Sequence, residues 1–211
     1  GSVVYRPIGG LSFNLSQDGI INTLSADLNN FTSPTRYTSL TAVAGKYVNN
    51  LVMATASVLM TATKDVMADH SLGQQRFKAS PYASLSFKPF SNTDFRIRLF
   101  YKNIFRLPTF NDLYYGKVGN RDLLPETTNQ YNIGLTFQRS ITEYIPMLAL
   151  SCDIYHNDVR NKIVAYPTKN IYTWTMLNYG RVSITGLDFT GDIEIAPCKE
   201  VQITLGATYT Y

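Results

Sequence analysis

The stretch VQITLGATYTY at positions 201–211 alternates between apolar and polar side chains. Apolar residues occupy the odd positions from Val201 to Tyr211, and Gln202, Gly206 and three threonines occupy the even ones. Because successive side chains of a β-strand point to opposite faces, this period of two predicts a strand with one apolar and one polar face.

The same period recurs along most of the chain. The segments that carry it are 80–90, 96–102, 132–138, 148–155 and 182–195 and, less regularly, 20–32, 36–48 and 51–63. They predict an all-β protein of roughly ten strands.

Strand length and connections favour one architecture. Segments 182–195 and 201–211 are as long as strands that cross a bilayer, about 9–11 residues, and longer than the usual soluble strand of about 5–6. Short connections at 88–94 and 196–200 alternate with long ones at 105–126 and 164–174. We therefore predict an antiparallel up-and-down transmembrane β-barrel of the outer-membrane type, with its polar face toward a lumen.

Two alternatives stay open at this point. A soluble β-sandwich, acting as a binding or adhesion module of the cell envelope, would also alternate, although it does not account for the strand length. Tyrosines near predicted strand ends suit an aromatic girdle at the membrane interface, or reflect only the strand preference of tyrosine. These residues are Tyr37, Tyr47, Tyr144, Tyr209 and Tyr211.

Composition excludes several classes of protein. Only 16% of residues are charged, against roughly 25% in soluble domains. The composition is poor in helix-preferring surface residues and rich in strand and turn formers, which argues against a helical bundle and an α/β enzyme. The net charge of +4, without a basic run of five, predicts no nucleic-acid partner. No apolar run approaches the length of a spanning helix.

Cysteine and histidine give little sign of a metal site, cofactor or catalytic centre. Cys152 and Cys198 have no metal-ligand spacing, and we expect both to be unpaired, although they could pair in an oxidising compartment. His70 lies in a polar segment that we expect to be a solvated loop. His156 lies between Asp153 and Asp158 without a nucleophile elbow, so we predict no enzymatic activity and no cofactor.

Three motifs carry a family resemblance. FRLPTFNDLY at 105–114, GNRDLLPE at 119–126 and NYGRVSITGLD at 178–188 resemble, in order, elements of the barrel of TonB-dependent outer-membrane receptors. The matching residues are Pro108, Asn111, Leu113, Tyr114, Gly119, Asn120, Leu123, Pro125, Glu126, Gly186 and Asp188. The pattern departs at Leu107, where alanine is common, and at Asp188, where glutamate is usual.

The resemblance implies a function and a location. Receptors of this family lie in the outer membrane of Gram-negative bacteria and import large scarce nutrients such as ferric siderophores, haem or cobalamin. Their barrel of 22 strands holds an N-terminal plug, which engages TonB. Outer-membrane lipid, an imported small molecule or metal chelate and, through the plug, TonB are the implied partners.

The resemblance also implies that the chain is part of a larger barrel. We expect residues 3–211 to be barrel, residues 1–2 to be a cloning scar, and the plug to be absent. We expect this piece alone not to transport or bind TonB. Its open edges predict self-association or closure into a smaller barrel.

The motif residues suggest structural roles. Pro108 would end a strand, and Gly119 and Asn120 would tolerate positive φ. Glu126 would accept hydrogen bonds from neighbouring loop N–H groups or from an arginine such as Arg121. The constellation would either fold the loop back onto the barrel rim or contact ligand.

Aromatic and basic residues of the two long connections are candidate ligand contacts. They could stack on a planar ligand or pair with an anionic one, or merely cover the rim. These residues are Tyr114, Tyr115, Lys117 and Arg121 in the first connection and Tyr166, Lys169, Tyr172 and Trp174 in the second.

Overall fold

The computed structural model describes residues 1–27, 33–68, 72–116, 118–169, 172–198 and 200–211, with the main chain only at Leu72. Ten strands and one short helix make up this part of the chain. The elements are β1 Ser2–Ile8, β2 Leu11–Thr23, β3 Pro34–Val48, β4 Val52–Met67, β5 Leu72–Phe87, β6 Asp94–Arg106, α1 Phe110–Tyr114, β7 Glu126–Arg139, β8 Met147–Pro167, β9 Trp174–Cys198 and β10 Val201–Thr210. In the described ranges, no helix is long and apolar enough to cross a membrane. The His70 prediction lies outside the described residues.

The strands form one sheet in sequence order, β1 to β10, and each pairs antiparallel with the next. This meander confirms the prediction of an all-β, antiparallel, up-and-down partial barrel of about ten strands. β1 and β10 lie at the two edges of the sheet. We call the end of the sheet with the β6–β7 connection the loop end, and the opposite end the turn end.

Cross-strand pairing separates an apolar face from a polar one. One row of partners runs through five aliphatic residues: Leu85, Leu99, Ile133, Ile154 and Leu187. The adjacent row, one residue along each strand, runs through Ser86, Arg98, Gly134, Asp153 and Asp188. The alternation read from single strands therefore aligns across the sheet, as a barrel wall between lipid and lumen requires.

The apolar face is open rather than packed against a second layer. Ile133 is 53% exposed and Ile154 is 50% exposed. Among the described residues, the buried aliphatic side chains other than proline are only Leu113, Leu123, Val159 and Ile163. A β-sandwich would bury its apolar faces between two sheets, so the sandwich alternative is wrong.

The sheet is staggered as in a barrel. Its row of partners passes through Leu11, next to the β1–β2 turn, and through Tyr47, Ala54 and Leu85. At β9 the same row reaches Leu187, which is midway along the strand rather than at its turn end. A shift of this kind accompanies the strand tilt that lets a sheet close into a barrel.

The longest strands exceed the thickness of a bilayer. β9 has 25 residues and β8 has 21; at ~3.3 Å per residue, β9 extends about 80 Å. A hydrocarbon core is ~30 Å thick, so even a tilted β9 projects well beyond it. The prediction of a long loop at 164–174 is wrong, because Tyr166 and Trp174 belong to the β8–β9 ladder and the connection spans only residues 168–173.

The two cysteines are both free. Cys152 belongs to the apolar face, where its cross-strand partners are Leu135 and Phe189. Cys198 is exposed at the turn end of β9.

Candidate functional site

The β6–β7 connection is compact and anchored at its first turn. The hydroxyl of Thr109 accepts a hydrogen bond from the Asp112 backbone N–H (3.1 Å), and the Asp112 carboxylate accepts one from the Thr109 N–H (2.9 Å). This capping box satisfies donors at the start of α1. Pro108 follows the end of β6, precedes the cap and is fully buried. It has no N–H to donate to a strand partner, and its carbonyl accepts a hydrogen bond from a side chain of another strand.

That partner is Arg36 of β3. The Arg36 Nη1 donates to the Pro108 carbonyl at 2.8 Å, and its guanidinium lies 5.0 Å from the centre of the Phe110 ring. Arg36 also makes a two-pronged ion pair with Asp65 of β4, at 2.7 and 2.8 Å. The side chains are only 11% and 8% exposed, so this is a desolvated pair that ties the connection to the sheet.

Glu126 is the centre of a second charged cluster, at the start of β7. It is buried and accepts hydrogen bonds from the Ile163 backbone N–H (3.2 Å) and the Lys162 Nζ (3.1 Å). Arg106 bridges Glu126 (3.4 Å) and Asp112 (3.2 Å). Burial opposes ionisation, but these hydrogen bonds and positive charges outweigh it and hold the pKa of Glu126 below its ordinary value.

The arginine expected beside Glu126 is Arg106 rather than Arg121. The Arg121 guanidinium lies over the Tyr114 ring, 5.2 Å from the ring centre. Tyr114 is half-buried, and burial, followed by the charge of Asp65, raises the pKa of its hydroxyl. Arg121 and Tyr114 therefore form a cation–π pair at the loop end.

The roles expected for Gly119 and Asn120 also differ from the structure. Neither has positive φ; within the described ranges, Gly10, Gly116 and Asn161 do. A Cβ at Gly119 would lie 2.7 Å from the Tyr115 backbone nitrogen, so close backbone approach requires the glycine. The Asn120 side chain accepts from the Asp122 N–H (2.9 Å) and donates to the Met176 carbonyl (3.0 Å).

A small apolar core lies beneath the connection. It consists of buried Leu113, Leu123 and Ile163, with Tyr114 and Met176 packed against them. Asn178 of β9 fixes the segment that follows Leu123: its Oδ1 accepts from the Leu124 N–H (2.7 Å) and its Nδ2 donates to the Leu124 carbonyl (2.9 Å). Pro125 then leads into Glu126, whereas Asn111 of α1 is exposed.

The remaining motif residues lie on the polar face. Gly186 is buried, and a Cβ there would collide with the Tyr155 ring. Asp188 is the cross-strand partner of Asp153, which accepts two hydrogen bonds from Arg98 Nη2 at 2.9 and 3.1 Å. Gly134 lies beneath this ion pair. A Cβ at Gly134 would lie 3.0 Å from Arg98 Nη2, so a side chain there would displace the pair.

The candidate ligand residues are only partly brought together. Tyr114 and Arg121 are in contact, and Tyr115 is 67% exposed at the end of α1. Tyr172 and Trp174 are 85% and 48% exposed. Tyr166 and Lys169 are also exposed, whereas Lys117 lies outside the described residues. The Val118 carbonyl accepts from the Met176 N–H at 2.9 Å, which joins the first connection to β9.

The sequence analysis predicted no role for four residues that hold the β6–β7 connection in place. They are Arg36, Asp65, Lys162 and Asn178. A signal for the first two existed, since Arg36 opens one predicted strand and Asp65 follows the end of the next, which places opposite charges side by side in a hairpin. Asn178 was quoted within its motif without a role.

Similarity to known proteins agrees with this architecture. A family model described as "TonB dependent receptor-like, beta-barrel" matches residues 60–211. The vitamin B12 transporter BtuB of Vibrio vulnificus (strain YJ016) is 34% identical over 95 residues, which cover 43% of this chain and 14% of that protein. The chain thus spans about a seventh of the length of this curated relative.

Solved structures share the fold at low sequence identity. The hemophore receptor HasR of Serratia marcescens superposes with a TM-score of 0.74 at 11% identity, covering 100% of this chain and 40% of that one. The FrpB iron transporter of Neisseria meningitidis (F5-1 variant) gives 0.71 at 11%, covering 99% and 35%. The copper transporter OprC gives 0.73 at 9%, covering 99% and 36%. With its meander, its two-faced wall and the family match over most of its length, the chain belongs to the TonB-dependent receptor β-barrel family.

Proposed function

We propose that this chain forms part of the wall of an outer-membrane receptor of a Gram-negative bacterium, one that takes up a large scarce nutrient with energy delivered through TonB. The family match over residues 60–211 carries the proposal. The aligned apolar and polar faces support it, because a lipid-facing wall around a polar lumen needs both. The relatives transport vitamin B12, iron and copper or receive a haem-loaded hemophore, so we propose a cobalamin or metal-chelate cargo.

The loop end offers groups suited to such a cargo. Arg121 presents a cation held on the Tyr114 ring, and Tyr115, Tyr172 and Trp174 expose aromatic surface. Aromatic faces stack on planar ligands, and a guanidinium pairs with anionic ones. We propose these residues as first contacts for the cargo; the alternative is that they only cover the rim.

We also propose that the chain performs no catalysis. Its relatives are transporters and receptors. His156, which lies between Asp153 and Asp158 in sequence, shares a hydrogen bond of 2.8 Å with the Thr185 hydroxyl and packs beside the Tyr131 ring. Neither contact involves a carboxylate, the group that orients the histidine of a catalytic triad.

The proposed partners follow from the two faces. Lipid would cover the apolar face, and a plug domain that engages TonB would fill the space beside the polar face. In isolation, the edges at β1 and β10 would favour self-association.

Uptake by the parental receptor tests the proposal. Cells that carry the intact reading frame, or a version without these residues, are supplied with labelled cobalamin, haem and ferric siderophores, with and without an uncoupler. We expect uptake of one cargo class to need both the segment and the proton gradient. Equal uptake by the two strains for every class would contradict the proposal.

Paired variants then separate ligand contact from rim cover. Arg121→Gln and Trp174→Ala should raise the cargo concentration for half-maximal uptake, whereas Arg139→Gln at the turn end should not. If the loop-end variants behave like Arg139→Gln, the residues only cover the rim.

A further inference from the structure

The wall of the barrel has a fork between β5 and β6. The two strands pair from Phe87↔Ile97 to Tyr82↔Lys102, and their pairing ends there. Beyond this point β5 continues through residues 72–81, paired with β4 on its other side, and β6 continues through 103–106, paired with β7. In the part of the chain that the structure describes, the β5 edge over these residues therefore has no strand partner, and an edge of this kind presents backbone donors and acceptors to an added strand.

A cavity of about 360 Å³ lies at the base of the fork. Its volume is within the range of small-ligand sites. The lining comes from three strands: Ser57, Leu59, Ser80, Tyr82, Lys102 and Asn103.

Two buried polar atoms in this lining lack partners. Ser80 is only 8% exposed, and its hydroxyl makes no hydrogen bond. Asn103 donates through Nδ2 to the Asn129 Oδ1 at 2.7 Å, which fixes the orientation of its amide, and its own Oδ1 is buried without a partner. Buried polar atoms are nearly always hydrogen-bonded in native proteins, so both atoms are available to bond a group that enters the cavity.

Charge at the fork selects the chemistry of that ligand. Lys78, Ser80 and Tyr82 alternate along β5 and share one face with Lys102, the cross-strand partner of Tyr82. Two ammonium groups therefore border the open edge on its polar side. A peptide strand supplies N–H donors for Asn103 Oδ1 and backbone groups for the β5 edge, and acidic side chains at alternate positions would reach the lysines.

We propose that the fork between β5 and β6 binds an extended peptide segment with acidic side chains, which adds to the sheet along β5. The segment is antiparallel or parallel to residues 72–81, and one of its N–H groups donates to Asn103 Oδ1. Ser80 bonds its backbone at the base of the fork. This site is independent of the nutrient cargo, which we place at the loop-end rim.

The test uses the full chain in detergent micelles and a fluorescently labelled synthetic peptide that alternates glutamate with valine. We expect saturable binding by fluorescence anisotropy, weaker at high salt. A peptide with lysine in place of glutamate should not bind. Lys78→Gln and Lys102→Gln should each weaken binding about two- to fivefold, whereas Lys46→Gln, the same charge change on distant β3, should leave it unchanged.

Hydrogen exchange locates the peptide. Binding should slow amide exchange in residues 73–80 of β5 and leave the paired strands β2 and β3 unaffected. Protection elsewhere, equal binding of the lysine peptide, or no binding at all would overturn the proposal, the last result meaning that water alone fills the fork.

Discussion

The ion pair between Arg36 and Asp65 offers the sharpest test of how the loop end is held together. Asp65→Asn keeps the shape of the side chain and removes its charge. The guanidinium of Arg36 then stays in a site where only 11% of it is exposed, and it loses a charged partner at 2.7 Å. Breaking one side of a buried pair costs ~3–5 kcal/mol. The Pro108 carbonyl and the Phe110 ring remain as partners, so we expect the lower end, a loss of ~3 kcal/mol.

The assay is equilibrium unfolding in denaturant, with the chain held in detergent micelles. Asp94→Asn is the matched control, because Asp94 makes the same kind of pair with Lys88 at 3.0 Å while its side chain is 47% exposed. Exposed pairs contribute little, so the control should change stability only slightly.

A double variant checks the cause. Replacing both members by apolar residues, Arg36→Met with Asp65→Leu, removes the uncompensated charge and should recover most of the loss. Equal stability of Asp65→Asn and Asp94→Asn would refute the reasoning, since it would mean that the pair is not desolvated.

Three further predictions concern the same region. The pKa of Glu126 in the folded chain is below its ordinary value, so its carboxylate stabilises the loop end at any pH above the ordinary carboxyl pKa. This stabilisation is lost as the pH falls through the folded pKa. Hydrogen exchange of residues 107–125 should therefore accelerate in acid in the native chain and much less in Glu126→Gln. Gly119→Ala should cost ~1–3 kcal/mol in unfolding experiments, because the new methyl meets backbone, whereas Gly180→Ala, with open space around it, should have little effect. Thr109→Ala removes a helix cap and should cost ~1 kcal/mol, with Thr109→Ser retaining most of the stability; an unchanged midpoint in Thr109→Ala would show that the capping box contributes nothing.

The fold was predictable because its signal is local. A strand between lipid and lumen must alternate residue by residue, so segments such as 132–138 and 201–211 show their two faces without knowledge of their neighbours. The lengths of β8 and β9 were predicted too short at the end of the sheet where side chains no longer need to alternate between lipid and lumen. Residues 164–167 and 174–181 lie toward the loop end, where no apolar stripe is needed, and their pairing is visible only in the β8–β9 ladder.

The candidate site was less predictable, because its contacts are distant in sequence. Arg36 meets Asp65 and Pro108, which lie 29 and 72 positions away. Glu126 was selected correctly as a hydrogen-bond acceptor, but its partners come from β6 and β8 rather than from the connection itself. Gly119 was selected for its backbone freedom, whereas the packing of the connection onto itself is what excludes a side chain.

The polar face of the sheet also explains two glycines at positions where a strand usually disfavours this residue. Gly134 and Gly186 lie inside strands, where glycine has no side chain to pack. Each leaves room for a neighbour on the polar face, the Arg98–Asp153 pair in one case and the Tyr155 ring in the other. Their positions follow from cross-strand geometry and could not be explained from either strand alone.

Accessibility of adjacent residues in a bilayer tests the central claim most directly. Spin labels are attached to Ile133→Cys and Asn132→Cys, each in a chain with Cys152→Ser and Cys198→Ser, and reconstituted into lipid vesicles. The wall described here predicts that the label at position 133 is relaxed by oxygen dissolved in the hydrocarbon, and the label at position 132 by a water-soluble nickel chelate. Equal accessibility at the two positions, or the reverse order, would contradict the assignment of the apolar face to lipid.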